Sequence, residues 1–324
     1  MRILTTCVLL LAAASAGAQD LPLIRAAGTS LETFEVDLRL DGIDHSSAEG
    51  LAKSFARFEE EQHGVRRRFA ELVAEAHLGV LRRFYTKDLV DRQAKAYDAV
   101  QQKGFRSDVV DVRADGDKAT AHVKRTFIVG GREREEATEI ELVREGGAWR
   151  ISVIRDRGRD GKFADRPLGT PPALKAAPVP APGAPDLSNA KSAAESLRDA
   201  MLRFGAQRDN AALSLTDRFF DITAAFFGEA AARKALEDRP TVKSAAPVVL
   251  DFSDAMPRLS DLFRVEVTVN EESNGRKNAI GQGAFDYRSE DGEFRVVGEY
   301  LRPDPEEPFQ AIPANFGLFF LVRR

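Results

Sequence analysis

A chain of 324 residues is about twice the usual length of one domain, and its 43 % hydrophobic and 30 % charged residues are the composition of a folded globular protein. Collagen-like, disordered and multi-span membrane chains are thereby excluded. Lys plus Arg number 47 against 51 Asp plus Glu, a net charge of −4, so no overall positive field exists to hold nucleic acid.

The chain opens with Arg2, an apolar run from Val8 to Ala14 and the small residues Ser15-Ala16-Gly17-Ala18. This three-part pattern is that of an export signal, residues 1–18, cleaved after Ala18, so the protein is expected in the periplasm or secreted. Cys7, the single cysteine, lies inside that segment. The mature chain then carries 46 basic against 51 acidic side chains and no thiol, which removes disulfides, thiol nucleophiles and thiolate metal sites together. No later stretch approaches the ~18 apolar residues of a membrane span.

Residues 19–156 are expected to form the first domain. Phe34, Val36, Leu38 and Leu40 alternate with charged residues as a half-buried strand placed to extend the first sheet. Ser46-Ser47 then precede a helical pattern through Leu51, Phe55, Phe58, Val65, Phe69, Leu72, Val73, Val80, Leu81 and Phe84, with Gly64 a plausible break, and a shorter helix spans 88–101. After that the period falls to two. Val109 to Val112, Ala119 to Phe127, Ile140 with Leu142, and Trp149 to Val153 read as strands, turned at Asp115-Gly116, Gly130-Gly131 and Gly146-Gly147.

Between 157 and 187 stand seven of the fifteen prolines, a density that excludes helix and central strand and marks an extended linker. The order then repeats over 188–302. Leu197, Met201, Leu202 and Phe204 mark one helix, Leu213 to Phe227 a second and 229–238 a third. Strands follow at Val248 to Phe252, Phe263 to Val269 and Phe294 to Val297, with hairpin turns at Asn274-Gly275 and Asp291-Gly292. Gly146-Gly147-Ala148-Trp149-Arg150-Ile151 matches Asp291-Gly292-Glu293-Phe294-Arg295-Val296, and Tyr85-Thr86 matches Phe227-Gly228, as in an internal duplication. The tail, 303–324, ends in an apolar run from Phe316 to Val322, too short to span a membrane and suited to adding a strand or docking.

Three helices followed by a bent antiparallel sheet that closes on Glu145-Gly146-Gly147-Ala148-Trp149-Arg150-Ile151 resemble the nuclear transport factor 2-like superfamily, over about residues 46–156 and 188–302. The resemblance implies an α+β fold class: two cones of cystatin-like topology joined by the Pro/Ala-rich linker, each with a pocket between helices and sheet. Its members include isomerases, dehydratases and epoxide hydrolases as well as binding and assembly domains, so the fold leaves function open. Members often pair through their sheets, which suggests an intramolecular pseudo-dimer.

An enzyme on this fold needs an acid or base turned into the cone. Strand alternation puts Ala119, Ala121, Val123 and Phe127 inward and His122 outward; it puts Phe263, Val265, Val267 and Val269 inward and Arg264 outward, with Asp286 and Arg295 opposite Phe285, Tyr287, Phe294 and Val296. No inward carboxylate is legible, and no catalytic residue is assigned. His63 and His77 lie fourteen residues apart, too far to share an ion, and Asp156 to Gly161 lacks the closing acid of a calcium loop, so no metal or cofactor is expected. Glu59-Glu60-Glu61 before Arg66-Arg67-Arg68 reads as a solvated helix face. Tyr85, Tyr97 and Trp149 would line the first cone and Phe227, Tyr287 and Tyr300 the second, as candidate ligand contacts. The function expected is that of an exported, non-catalytic binding or assembly module for a small apolar ligand or a protein. The alternatives are an isomerase, dehydratase or cyclase using an acidic or Tyr residue, and a structural spacer.

Overall fold

The computed structural model describes residues 21–100, 103–158, 160–166, 176–237, 248–273, 276–302 and 307–312. The expected export signal (1–18), the expected Asn274-Gly275 turn and the apolar run 316–322 lie outside the described residues. The chain is α+β, with its main sheets antiparallel throughout.

Among the described residues, strands β1 (Ile24–Ala27) and β2 (Glu35–Leu38) pair only with each other, so the early alternating segment does not extend the first large sheet. Leu23, Ile24, Phe34 and Val36 are nonetheless buried against helix α1 (Ala48–Phe84), where Glu61 accepts hydrogen bonds from the Leu23 and Ile24 amides at 2.6 and 3.1 Å. Helix α1 starts where the Ser47 side chain caps the Gly50 amide at 2.9 Å and runs 37 residues without a break at Gly64. Glycine costs a helix about 1 kcal/mol. Here that cost is outweighed because apolar side chains on either side of Gly64, from Leu51 to Phe84, are buried.

Helix α2 (Lys87–Val100) leads into a five-stranded meander of β3 (Lys103–Asp115), β4 (Lys118–Val129), β5 (Arg132–Glu145), β6 (Ala148–Arg157) and β7 (Phe163–Asp165). The expected turns close β3–β4, β4–β5 and β5–β6, with positive φ at Gly116, at Gly130 and Gly131, and at Gly146 and Gly147. Strand β7 lies inside the segment expected to be linker.

Helix α3 (Ala190–Thr216), capped by Asn189, absorbs Leu213 and Leu215 from the expected second helix. Helices α4 (Phe219–Phe227) and α5 (Glu229–Glu237) follow. The second sheet contains β8 (Val248–Phe252), β9 (Met256–Leu259), β10 (Leu262–Ser273), β11 (Arg276–Glu290), β12 (Glu293–Arg302) and β13 (Gln310–Ala311).

The helices do not keep to their own halves. Leu51, Phe55, Phe58 and Leu72 of α1 pack on the first sheet, but Leu81, Phe84, Tyr85 and Val90 pack with Val265, Phe285, Tyr287 and Val296 of the second. Conversely, Ala190 to Leu197 of α3 lie in the second core, whereas Phe204, Ala211 and Phe226 lie in the first. Phe226 of α4 sets its ring 5.2 Å from both Phe55 and Phe58. Helices α1 and α3 thus run past each other in opposite directions, each threading both cores.

The joints match as well. Arg150 on β6 donates to the Ala225 carbonyl at 2.8 Å, and Arg295 on β12 donates to the Arg82 and Arg83 carbonyls at 3.4 Å. Each guanidinium serves a C-terminal turn of a helix from the other half, where free carbonyls and the helix dipole favour a cation. The Trp149 amide donates to His45 and the Phe294 amide to Leu187, each acceptor two residues before a helix cap. Strand pairing recurs at a constant 145-residue offset: Ile140 opposite Ile154 and Leu142 opposite Ile151 become Phe285 opposite Glu299 and Tyr287 opposite Val296, with a bulge at the same step.

Candidate functional site

The first sheet turns a closed ion network inward. Arg125 continues the inward row Ala119, Ala121, Val123 and is 5 % exposed. Its Nε donates to Glu59 at 3.0 Å, its Nη2 donates to the other Glu59 oxygen, and its Nη1 donates to Asp156 at 3.1 Å. Asp156 also accepts from Thr138 at 2.8 Å and from the Arg166 Nε at 2.6 Å, while Arg166 reaches Glu59 at 3.2 Å. Glu60 accepts from the Ser107 amide at 2.7 Å. The acidic run Glu59-Glu60-Glu61 is therefore not a solvated face; it ties α1 to β1, β3 and β4. Burial pushes the Asp156 carboxyl up, but hydrogen bonds from Arg166 and Thr138 and the charges of Arg166 and Arg125 outweigh it and hold Asp156 below its usual range. Two carboxylates facing two guanidiniums make a formally neutral, hydrogen-bonded knot.

The second sheet is different. The bulge between Asp286 and Tyr287 reverses the alternation of β12, so Glu299, opposite Phe285, faces the core and Tyr300, opposite Ala284, faces out. The Tyr85 hydroxyl, from the other half of the chain, donates to Glu299. Tyr287 is fully buried beside them, and among the described residues its hydroxyl has no hydrogen-bond partner. Burial first, and the Glu299 charge second, push both phenols well above their ordinary pKa, so both stay protonated donors at any physiological pH. At the matching register the first sheet carries Leu142 and Ile154, both buried. Phe227 matches Tyr85 in sequence and packs against that first core. The fold needs no oxygen at these three places, yet the second core holds three, from Tyr85, Tyr287 and Glu299. A crevice of about 410 Å³, lined by Arg82, Lys87, Val90, Asp91, Glu290 and Arg295, shares Tyr85 with this group.

The six sequence-selected side chains are redistributed by the helix exchange. Tyr85 belongs to the second core and Phe227 to the first, the reverse of expectation; Trp149 is buried in the first core and Tyr287 in the second. Tyr97 lines neither sheet: its hydroxyl lies 2.6 Å from the Nδ1 of His77. Tyr300 packs outside, where the Arg264 guanidinium sits 4.5 Å from its ring and 5.4 Å from that of Phe309. Arg264 and Asp286, expected in solvent, form a buried bidentate pair at 2.7 and 2.9 Å because this aromatic cover excludes water.

His77 is buried against Phe204, their rings 5.2 Å apart. Burial, then the charge of Arg208, lowers its pKa from 6.5 to about 4. Because the folded pKa lies below the unfolded one, stability is full above pH ~6.5 and falls by roughly 3 kcal/mol as the pH drops to about 4. Urea midpoints measured between pH 7 and 4 are expected to fall less in His77→Phe than in the wild type.

Among the described residues, no cluster of His, Cys, Asp and Glu is arranged to hold a metal ion, and no helix is long and apolar enough to cross a membrane. Neither a family model nor a curated protein matches the chain. A solved structure described as "Ntf2 like protein involved in plasmid conjugation" is 11 % identical over 69 % of this chain and 86 % of that one, with a TM-score of 0.15, a likeness too small to support any inference.

Proposed function

We propose that the protein is an exported, non-catalytic binding module built from two nuclear transport factor 2-like cones, a duplicated unit whose halves have exchanged helices into an intramolecular pseudo-dimer. The matching strand registers and the paired Arg150 and Arg295 contacts support the duplication. In this reading the first cone is closed by its ion network and serves as scaffold. The second cone binds a small, largely apolar molecule through an oxygen that accepts a hydrogen bond.

One observation carries the assignment of the site: the Tyr287 hydroxyl is buried with no partner among the described residues, beside Tyr85 and Glu299, where the first core places hydrocarbon. A buried donor left unsatisfied costs ~1–3 kcal/mol, a cost that structure alone does not require. Saturation-transfer NMR of the full chain with cyclohexanone and cyclohexanol as probes tests it. The wild type is expected to show saturable binding. Tyr287→Phe is expected to lose that binding while gaining about 1 kcal/mol of stability, or a few degrees in Tm. No binding, or equal binding by both proteins, overturns the site.

A second reading, an isomerase, dehydratase or cyclase, is favoured by the inward Glu299 alone. Deuterium exchange at the α-carbon of cyclohexanone, faster with the wild type than with Glu299→Gln, would select it.

A further inference from the structure

The proline-rich segment is fastened to helix α3 through its backbone. The Asn210 side chain pairs with Ala177 from both sides, accepting from its amide and donating to its carbonyl, each at 2.8 Å. Arg203 donates to the Pro180 carbonyl at 2.6 Å, and the Ser196 hydroxyl accepts from the Asp186 amide at 2.9 Å. Ser196, Arg203 and Asn210 are spaced by seven, two helical turns, so they form one row along α3. Each step of the row covers about 10 Å of helix. An extended proline-rich chain rises ~3.1 Å per residue, so the three residues from Ala177 to Pro180 about match one step, whereas the six from Pro180 to Asp186 exceed it by roughly 8 Å. The surplus borders a hollow of about 310 Å³ lined by the apolar Ala76, Val80, Phe84 and Leu202, by the polar Arg83, Asp199 and Gln207, and by the linker itself from Pro180 to Pro185. On the linker side Ala181, Pro182, Gly183 and Ala184 are exposed, and beside Pro182 and Pro185 they carry nothing larger than a methyl group into it.

We propose that this face of α3 is a docking groove for an extended, proline-containing peptide with bulky apolar side chains, and that the linker occupies it in cis. Recognition through backbone amides and carbonyls tolerates different sequences, and the hollow rewards a larger side chain than the linker provides. Tethering gives the linker a high effective concentration, so a peptide in trans must out-compete it.

The test uses the full chain with residues 176–185 replaced by a Gly/Ser repeat of equal length. The probes are a fluorescein-labelled peptide of residues 176–187 and the same peptide carrying Ala181→Leu and Ala184→Leu, with binding read by anisotropy. The exchanged chain is expected to bind both, the Leu peptide at least ~5-fold tighter. The native chain should bind at least ~10-fold more weakly, and Asn210→Ala in the exchanged chain should abolish binding. No binding to the exchanged chain, binding indifferent to Asn210→Ala, or Asn210-dependent dimerisation of the native chain, which would make a second copy the occupant, overturns the proposal. Should the exchanged chain not fold, Asn210→Ala with Arg203→Ala in the native chain is expected to raise proteolytic cleavage within 176–187 several-fold, and an unchanged rate overturns it.

Discussion

Phe226→Ala is expected to shift the unfolding of the first half of the chain although Phe226 belongs to the second, with a loss of about 3–5 kcal/mol. Its ring is fully buried between Phe55 and Phe58. Truncation removes the buried area and leaves a cavity that α1 cannot close, since the same helix is also held by the second core at Leu81 and Phe84. Trp149, the single tryptophan, lies in the first core and reports the effect directly. Urea titration followed by its fluorescence should show a midpoint well below that of the wild type. An unchanged tryptophan transition would mean that the first half folds without its neighbour.

Arg125→Ala is expected to cost a similar 3–5 kcal/mol, for an electrostatic reason. The change leaves Glu59, whose side chain is 12 % exposed, with Arg166 as its remaining cation and the Ser107 hydroxyl at 3.2 Å as its other donor, and removes one of the two cations beside Asp156. A buried ion pair adds little net stability as a pair, but half of one is expensive. The double variant Arg125→Leu, Glu59→Leu should therefore be less destabilised than Arg125→Ala alone, as read from urea midpoints at pH 7. Equal or additive losses would show that the network is wet and weakly coupled.

Much of the fold was legible because turns and alternation are local. Each of the glycine turns at Gly116, Gly130-Gly131, Gly146-Gly147 and Asp291-Gly292 closes a hairpin where chain chemistry demands positive φ. What alternation hides is the bulge. The one extra residue in β12 exchanged the faces of Glu299 and Tyr300, concealing the inward acid and promoting the wrong tyrosine. Parity also assigned Arg264 and Asp286 to water, because the Phe309 cover that dries them comes from a distant segment. Arg125 was the readable exception: it sits in phase with Ala121 and Val123, and that phase alone points it inward.

Helix exchange was out of reach for a related reason. A periodic apolar face says that a helix is buried but not against which sheet, and Leu81 and Phe84 satisfy the pattern equally well on either. The length of α1 was the available signal. A 37-residue helix rises about 55 Å, well beyond one sheet, and only the plausible break at Gly64 disguised it.

The mutual dependence of the halves is tested most directly by cutting between them. A protease site inserted between Leu174 and Lys175 of the full chain, cleaved under native conditions, allows size exclusion with light scattering to weigh the product. A single species with the mass of the uncut protein is predicted, the two pieces held together by α1 and α3. Two separately eluting, folded halves would contradict the exchange.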